Sequence, residues 1–120
     1  IHHHNHLHFL PYAPGDILLP NRFGIPEPVS RGRAMVKLSR LDLVLTPLVG
    51  FDAQGNRLGL GGGFFDRSFA FLRQRQCWRK PRLLGVAFDQ QEVDQSSGLQ
   101  QQAWDVPLDG VVTESGLSLF

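Results

Sequence analysis

A cluster of glycines constrains the possible fold more than any other feature of this 120-residue sequence. Four of the five residues at 59–63 are glycine, and they lie between a short apolar run at 42–48 and a segment of helical periodicity that begins at Phe64. Glycine adopts backbone angles that other residues avoid, and it leaves backbone N–H groups free to turn toward one point. A buried strand followed by a glycine loop and a helix is typical of an α/β fold.

The remaining apolar pattern predicts a layered, mostly parallel sheet flanked by helices. Residues 42–48 are apolar at their centre, as expected for a parallel strand covered on both faces, and residues 83–88 and 110–113 are two further short strands. Residues 64–76 are predicted to be a helix because Phe65, Phe69 and Leu72 recur at helical spacing. Residues 90–103 are polar and are interpreted as a loop. Strands alternating with a helix in this order favour right-handed crossovers.

The N-terminal region has two distinct patterns. Residues 1–10 alternate in part, as in a strand, whereas the dense prolines and glycines at 11–28 predict an extended surface arm. His4, His6 and His8 share one face of that strand, where imidazoles two residues apart could bind zinc or copper. Because His2 and His3 lie beside them, the histidine run could equally be a cloning remnant or a merely polar end of the chain.

Composition narrows the class of protein. A chain of this length is a single domain, and a net charge of +1 provides no broad field to attract nucleic acid or an anionic membrane. No apolar run approaches the roughly 20 residues that span a bilayer. The single cysteine, Cys77, excludes an internal disulfide and is interpreted as a buried or incidental thiol. We therefore expect a soluble, cytoplasmic monomer with no nucleic-acid or membrane partner.

The glycine cluster suits a phosphate group without matching a standard phosphate motif. Backbone N–H groups, a helix start, Arg57 and Arg67 together would favour an anion there. A Walker loop would require Lys and then Ser or Thr after the last glycine, but Phe64 and Phe65 follow instead. A dinucleotide fingerprint would need glycine at position 64. A tight turn packed closely against the sheet therefore remains an alternative.

Several strings in the correct order resemble one enzyme family. "GFDAQGNRLGLGGGFFDR" is preceded by "NRFGIPEP" and "LSRLDLVLTPLV" and followed by "LLGVAFDQQ" and "WDVPLDGVVTE". Together they are similar to the 5-formyltetrahydrofolate cyclo-ligase family, also called methenyltetrahydrofolate synthetase. The resemblance begins near Leu7 and implies the family's sugar-phosphate isomerase/CoA transferase-like fold. It also implies one cyclo-ligase-like domain over residues 1–120 that lacks the family's N-terminal portion.

The resemblance implies an ATP-dependent cyclisation of 5-formyltetrahydrofolate to 5,10-methenyltetrahydrofolate, with release of ADP and phosphate. No catalytic side chain is assigned. The implied ATP-binding residues are Arg57, Leu58, Gly59, Leu60, Gly61, Gly62, Gly63, Phe64 and Phe65. The implied folate-binding residues are Leu60, Gly61, Gly62, Gly63 and Phe64. Asp66 and Asp105 would hold Mg²⁺, which prefers carboxylate oxygens. Phe64 and Phe65 stand where the family usually has a tyrosine pair.

Other interpretations of the same residues stay open. The helix dipole favours an acid such as Asp66 in the first turn even when no metal is bound. Asp105, two residues before Pro107, is an ordinary turn acid when considered on its own. A sugar-phosphate isomerase or CoA transferase would use the loop for a substrate phosphate, although the sequence offers no obvious base beyond these two acids. A non-catalytic fragment that binds nucleotide or folate is the third possibility.

Overall fold

A four-stranded mixed sheet forms the centre of the fold in this computed structural model, which describes residues 6–29, 35–58, 63–74, 80–94 and 106–120. The elements are β1 (Leu18–Pro20), β2 (Pro26–Pro28), β3 (Leu43–Pro47), β4 (Gly50–Phe51), β5 (Arg57–Leu58), α1 (Phe64–Ser68), β6 (Arg82–Val86), β7 (Gly110–Thr113) and β8 (Gly116–Leu119). The central sheet has the order β3-β6-β7-β8. Strands β3, β6 and β7 are parallel, and β8 returns antiparallel to β7. The three strands predicted from apolar runs are confirmed, and the fold class is α/β with a mixed sheet.

One face of the central sheet is covered by the described residues and the other is not. Along β3, Val44 and Thr46 are buried, whereas Leu43 and Leu45 are 54% and 60% exposed. The expectation that residues 42–48 are covered on both faces is therefore wrong for the part of the chain that the structure describes. The alternation follows from the strand itself, because successive side chains point to opposite faces and only one face meets the helical layer.

The core lies between the covered face and α1. Val44 and Leu83 of the sheet pack against Phe65, Phe69 and Leu72, and the cluster also includes Val106 and Leu108. The ring centroids of Phe65 and Phe69 are 4.8 Å apart. The predicted apolar stripe of the helix is thus confirmed as the buried stripe.

The predicted helix is wrong in its extent. Helix α1 ends at Ser68, and a tighter 3-10 turn at Ala70–Gln74 continues the segment. The Ser68 hydroxyl donates to the carbonyl of Phe64 at 2.7 Å and accepts the N–H of Leu7 at 2.6 Å. A serine that bonds back to the preceding turn competes with regular helix geometry and often bends the helix. This accounts for the change from α-helix to 3-10 helix after Ser68.

The predicted surface arm contains a hairpin. Strands β1 and β2 pair antiparallel, with Leu18 opposite Pro28 and Pro20 opposite Pro26. The turn between them is closed by the Asn21 side chain, whose amide oxygen accepts the N–H groups of Phe23 and Ile25. Prolines are compatible with such a pair because both strands are edges. The predicted strand at 1–10 is reduced, in its described part, to one bridge between Phe9 and Val36.

Two further elements lie outside the sequence prediction. Strands β4 and β5 form a second small hairpin immediately before the glycine cluster. Strand β8 adds an antiparallel edge to the central sheet. Within the described ranges, no helix has both the length and the apolar character needed to cross a membrane.

Candidate functional site

The hairpin β4–β5 fixes the start of the glycine cluster through the carboxylate of Asp52. Asp52 is 2% exposed, and its Oδ1 accepts the backbone N–H groups of Gln54 and Asn56, each at 3.0 Å. Its Oδ2 accepts the Asn56 side-chain amide at 3.0 Å. One buried carboxylate therefore satisfies three donors of a five-residue turn, which is the usual role of aspartate in tight turns.

The same turn is fixed to the core at Gly55. The Leu108 N–H donates to the Gly55 carbonyl at 2.8 Å, and Gly55 has a φ of +88°. A Cβ added there would lie 2.8 Å from the Leu108 carbonyl oxygen. Glycine is required at this position by both the backbone angle and the close approach. The chain therefore enters the glycine cluster from a rigid support.

The far side of the cluster is fixed at Gly63, which precedes α1 in the left-handed conformation with φ of +70°. The Arg67 N–H donates to the Gly63 carbonyl at 3.1 Å. The Arg67 guanidinium lies directly over Gly63, where a Cβ would meet its Nη1 at 2.7 Å. Gly63 thus begins the helix and allows an arginine to lie against the end of the glycine cluster.

The two phenylalanines at the start of α1 have different environments. Phe65 is buried in the core, and the Arg57 guanidinium carbon stacks over its ring at 4.0 Å from the centroid. Phe64 is 37% exposed, with Arg67 at 5.9 Å from its ring centroid. Arginine binds favourably over an aromatic face. Phe65 therefore holds Arg57 beside the helix start, and Phe64 presents an aromatic surface to solvent.

Asp66 connects α1 to the segment that carries Asp105. Its Oδ1 accepts the N–H of Val106 at 3.0 Å. This contact brings the backbone next to Asp105 close to the Asp66 carboxylate, although Asp105 itself lies outside the described residues. Asp66 is half-buried and still has acceptor capacity, since an ionised carboxylate offers about four lone-pair positions.

An open cleft of ≈ 400 Å³ lies beside the helix start. It is lined by His6, Gly63, Asp66, Arg67, Ala70 and Arg73. Two arginines and a histidine around one carboxylate form a lining rich in donors for a phosphate or carboxylate group. Of these residues, Gly63 and Asp66 are predicted site residues, whereas the cleft positions of His6 and Arg73 were missed.

Two histidines of the predicted metal face, His6 and His8, lie within the described residues. His6 lines the cleft, and both His6 and His8 are exposed. Among the residues with assigned structure, no group of three His, Cys, Asp or Glu side chains could hold a metal ion. His2, His3, His4 and Cys77 lie outside the described residues. The Asp66 carboxylate would suit Mg²⁺, because this ion is often held by one or two carboxylates and completed by water and phosphate oxygens. Asp105 as a second ligand stays a prediction.

The remaining predicted site residues divide between described and undescribed segments. Arg57 and Leu58 form β5, and the Leu58 carbonyl accepts the N–H of Val49 at 2.7 Å. The central positions Gly59, Leu60, Gly61 and Gly62 lie outside the described residues. Their roles, like those of the other predicted ATP- and folate-binding residues, stay predictions.

A separate polar network lies around the carboxylate of Asp89. It accepts hydrogen bonds from the hydroxyls of Ser115 and Thr113, and the Asp89 N–H donates to Glu114. The Ser115 hydroxyl, and then that of Thr113, holds the pKa of the Asp89 carboxyl below its ordinary value of 3.8. These bonds tie the turn between β7 and β8 to the 3-10 turn Asp89–Gln91.

Comparison with known proteins points to one family. The profile of the 5-formyltetrahydrofolate cyclo-ligase family matches residues 1–114. The chain is 45% identical to 5-formyltetrahydrofolate cyclo-ligase from Escherichia coli over 109 residues, covering 89% of this chain and 55% of that protein. For the Haemophilus influenzae protein of the same name, identity is 41% over 106 residues, with 87% and 52% covered. The chain thus spans about half the length of these relatives.

A solved structure supports the same relationship. A 5,10-methenyltetrahydrofolate synthetase from Mycoplasma pneumoniae superposes with a TM-score of 0.52 and 32% identity, covering 67% of this chain and 43% of that one. Sequence profile, curated relatives and superposed fold agree, and the chain belongs to the 5-formyltetrahydrofolate cyclo-ligase family.

Proposed function

We propose that the chain takes part in the ATP-dependent conversion of 5-formyltetrahydrofolate to 5,10-methenyltetrahydrofolate. The observation that carries this proposal is the cleft at the end of the glycine cluster, where Arg67 and Arg73 lie beside Asp66. Phosphoryl transfer depends on positioning and charge neutralisation, and these are the groups that such a cleft provides. Family membership then selects the reaction among those that use a phosphate site.

We assign the nucleotide to the segment from Arg57 to Phe65. The chain is fixed two residues before this segment, at Gly55 by the Leu108 hydrogen bond, and within it at Gly63 by the helix start. A glycine segment between two fixed points loses less conformational freedom when it binds, and such pre-organisation favours binding of an anion. The exposed ring of Phe64 would offer a stacking surface for the flat pterin of the folate.

Asp66 and Asp105 would hold Mg²⁺ with the triphosphate. When bound, the ion neutralises phosphate charge and aligns the transferable group. The residues described here have separate tasks: Arg67 and Arg73 would bind phosphate oxygens, and Arg57 would be held in position by its stacking on Phe65.

In the reaction we propose, the formyl oxygen of the substrate attacks the terminal phosphorus of ATP and ADP leaves. The second folate nitrogen then attacks the activated formyl carbon. Loss of that nitrogen's proton to solvent and of inorganic phosphate gives the methenyl bridge, so the phosphate released carries the original formyl oxygen. The chain's contribution is to hold both substrates and to stabilise the charge that moves between them.

Turnover of 5-formyltetrahydrofolate tests this proposal. Absorbance of the methenyl product should rise only when ATP and Mg²⁺ are both present. Equal turnover without ATP would contradict the ligase reaction. Binding of MgATP or the folate without any turnover would favour the non-catalytic alternative. Binding of a sugar phosphate in preference to MgATP would favour the isomerase-like one.

Two broader features belong to the same proposal. We propose that residues 1–120 form one domain whose central sheet is part of a mostly parallel sheet flanked by helices. We also propose a cytoplasmic location, in keeping with a reaction that consumes ATP. Cell fractionation with an antibody to the chain would test the second point.

A further inference from the structure

The side chain of Gln91 joins two turns of the chain where parallel strands end. Its Nε2 donates to the carbonyls of Leu48 and Val49, each at 3.1 Å, and its Oε1 accepts the N–H of Phe88 at 2.8 Å. Leu48 and Val49 follow β3, and Phe88 follows β6. Three of the four hydrogen-bonding positions of the amide are therefore used, and they hold the side chain in one orientation.

This edge of the sheet is the one at which a ligand is expected. In open α/β sheets, ligands bind outside the carboxyl ends of the parallel strands. Strands β3 and β6 are parallel, and the chain that leaves β3 at this edge continues through β4 and β5 toward the glycine cluster. Gln91 therefore lies at the edge from which the proposed nucleotide segment begins.

A series of contacts leads from Gln91 to that segment. Val49, whose carbonyl accepts a hydrogen bond from Gln91, donates its own N–H to the Leu58 carbonyl at 2.7 Å. Arg57 and Leu58 form β5, which pairs with β4. Because these are the first two residues of the proposed nucleotide segment, the Gln91 amide supports the position at which the segment starts.

We propose that Gln91 is a positioning residue for nucleotide binding, an inference that rests on the proposed function. It would act through β5, by holding the Arg57 end of the segment in the arrangement that binds phosphate. The Gly63 end is fixed separately, by the helix start and the bond from the Arg67 N–H. Loss of the Gln91 bonds should therefore affect the nucleotide more than the folate, which we assign in part to Phe64.

The backbone beside Gln91 provides a separate attachment that its side chain does not share. The Val93 N–H donates to the Phe51 carbonyl at 2.8 Å, and Glu92 forms a bridge with Phe51. A variant at position 91 should keep these bonds. We therefore expect such a variant to fold while the turn after β3 loses its support.

Gln91→Glu tests the two N–H groups of the amide. Glutamate has nearly the same size and can accept the Phe88 N–H, but its carboxylate has no donor for the two carbonyls. In calorimetric titrations of the full chain, the MgATP affinity should fall roughly tenfold, as expected for lost hydrogen bonds. The affinity for 5-formyltetrahydrofolate should change by less than about twofold, a small effect on this energy scale.

Gln90→Glu is the matched control. Gln90 is exposed, lies in the same 3-10 turn and would gain the same charge. Both affinities should stay within about twofold of the wild type, because exposed charges contribute little. Gln91→Met is a second variant that removes the donors without adding charge, and it should reproduce the loss of MgATP affinity. The two variants together separate the lost bonds from charge repulsion and from misfolding of one protein.

Hydrogen exchange of the free chain provides a measurement without any ligand. The Val49 amide should exchange about tenfold faster in Gln91→Glu and Gln91→Met, because local opening is easier once the turn loses support. The Val106 amide, which is held by Asp66, should exchange at the wild-type rate in both variants.

Three results would overturn the inference. These are an unchanged exchange rate of the Val49 amide, equal MgATP affinity in the wild type and both Gln91 variants, and a parallel fall in the affinities for MgATP and the folate. The last would show that Gln91 serves only to stabilise the fold. A wild-type chain that binds no MgATP would instead contradict the proposed function, and with it the inference that rests on it.

Discussion

At the scale of single residues, Asp66 combines a structural contact with a predicted metal role. Asp66→Asn keeps an oxygen that can accept the Val106 N–H but removes the charge. We therefore expect MgATP affinity to fall more than tenfold while the melting temperature changes little. Isothermal titration and thermal melts on the same samples measure both.

Asp66→Ala is the comparison variant for this prediction. It removes the acceptor as well, so stability should fall by about 1–3 kcal/mol. Normal MgATP binding by a folded Asp66→Asn protein would show that Asp66 serves only to anchor Val106.

His6 is the residue whose position the sequence could least indicate. It lines the cleft because the Leu7 N–H donates to Ser68 on α1, a contact between residues 61 apart in the chain. If His6 contacts a phosphate oxygen, His6→Ala should weaken MgATP binding roughly tenfold, as expected for one hydrogen bond to a charged group. His8→Ala is the matched control, and a similar loss in both variants would contradict a specific role for His6.

At the scale of elements, the hairpin β4–β5 depends on a buried carboxylate. Asp52→Ala would remove three hydrogen bonds of the turn, and at about 1 kcal/mol per bond we expect a loss of roughly 3 kcal/mol. Urea unfolding measures the change. Asp42→Ala is the control, because Asp42 is exposed and its ion pair with Lys80 should contribute at most about 1 kcal/mol. Equal losses would argue against the structural role of Asp52.

The connection between the β7–β8 turn and the 3-10 turn Asp89–Gln91 should depend on pH. Because the pKa of Asp89 is lower in the folded protein, the folded state binds fewer protons at this group than the unfolded state. The contribution of the Asp89 carboxylate to the free energy of unfolding is present above about pH 4. It is lost as the pH falls through the lowered pKa of this group. The difference in unfolding free energy between the wild type and Asp89→Asn should therefore shrink from pH 6 to pH 3. A constant difference would contradict this linkage.

The sequence predicted some elements well because their signals are local. Apolar runs identified three strands of the sheet, and the spacing of Phe65, Phe69 and Leu72 identified the buried side of the helix. It missed the hairpin β1–β2, since prolines there were interpreted only as strand breakers. It also overestimated the helix, because apolar spacing does not indicate that the Ser68 hydroxyl bonds back to the Phe64 carbonyl. The Asp52 turn was missed although aspartate near a glycine is a recognisable turn signal.

At the scale of the whole molecule, three contacts join the segments around the candidate site. Leu108 binds Gly55, Asp66 binds Val106, and Arg57 stacks on Phe65. Together they connect the hairpin β4–β5, helix α1 and the chain before β7. The contacts of Leu108 with Gly55 and of Val106 with Asp66 link segments far apart in sequence, so apolar periodicity alone could not predict them. The resemblance implied candidate site residues, and the structure shows the contacts of those that it describes.

The hydrogen bond from Val106 to Asp66 has a spectroscopic consequence. An amide proton held by a carboxylate senses changes in the electron density on that oxygen, so the Val106 amide resonance should report on a cation bound by Asp66. In nuclear magnetic resonance spectra, MgATP should shift this resonance in the wild type more than ATP with a chelator does. The shift should be much smaller in Asp66→Asn. An unmoved Val106 signal at saturating MgATP would place the cation elsewhere, so this single amide can locate the ion without a crystal.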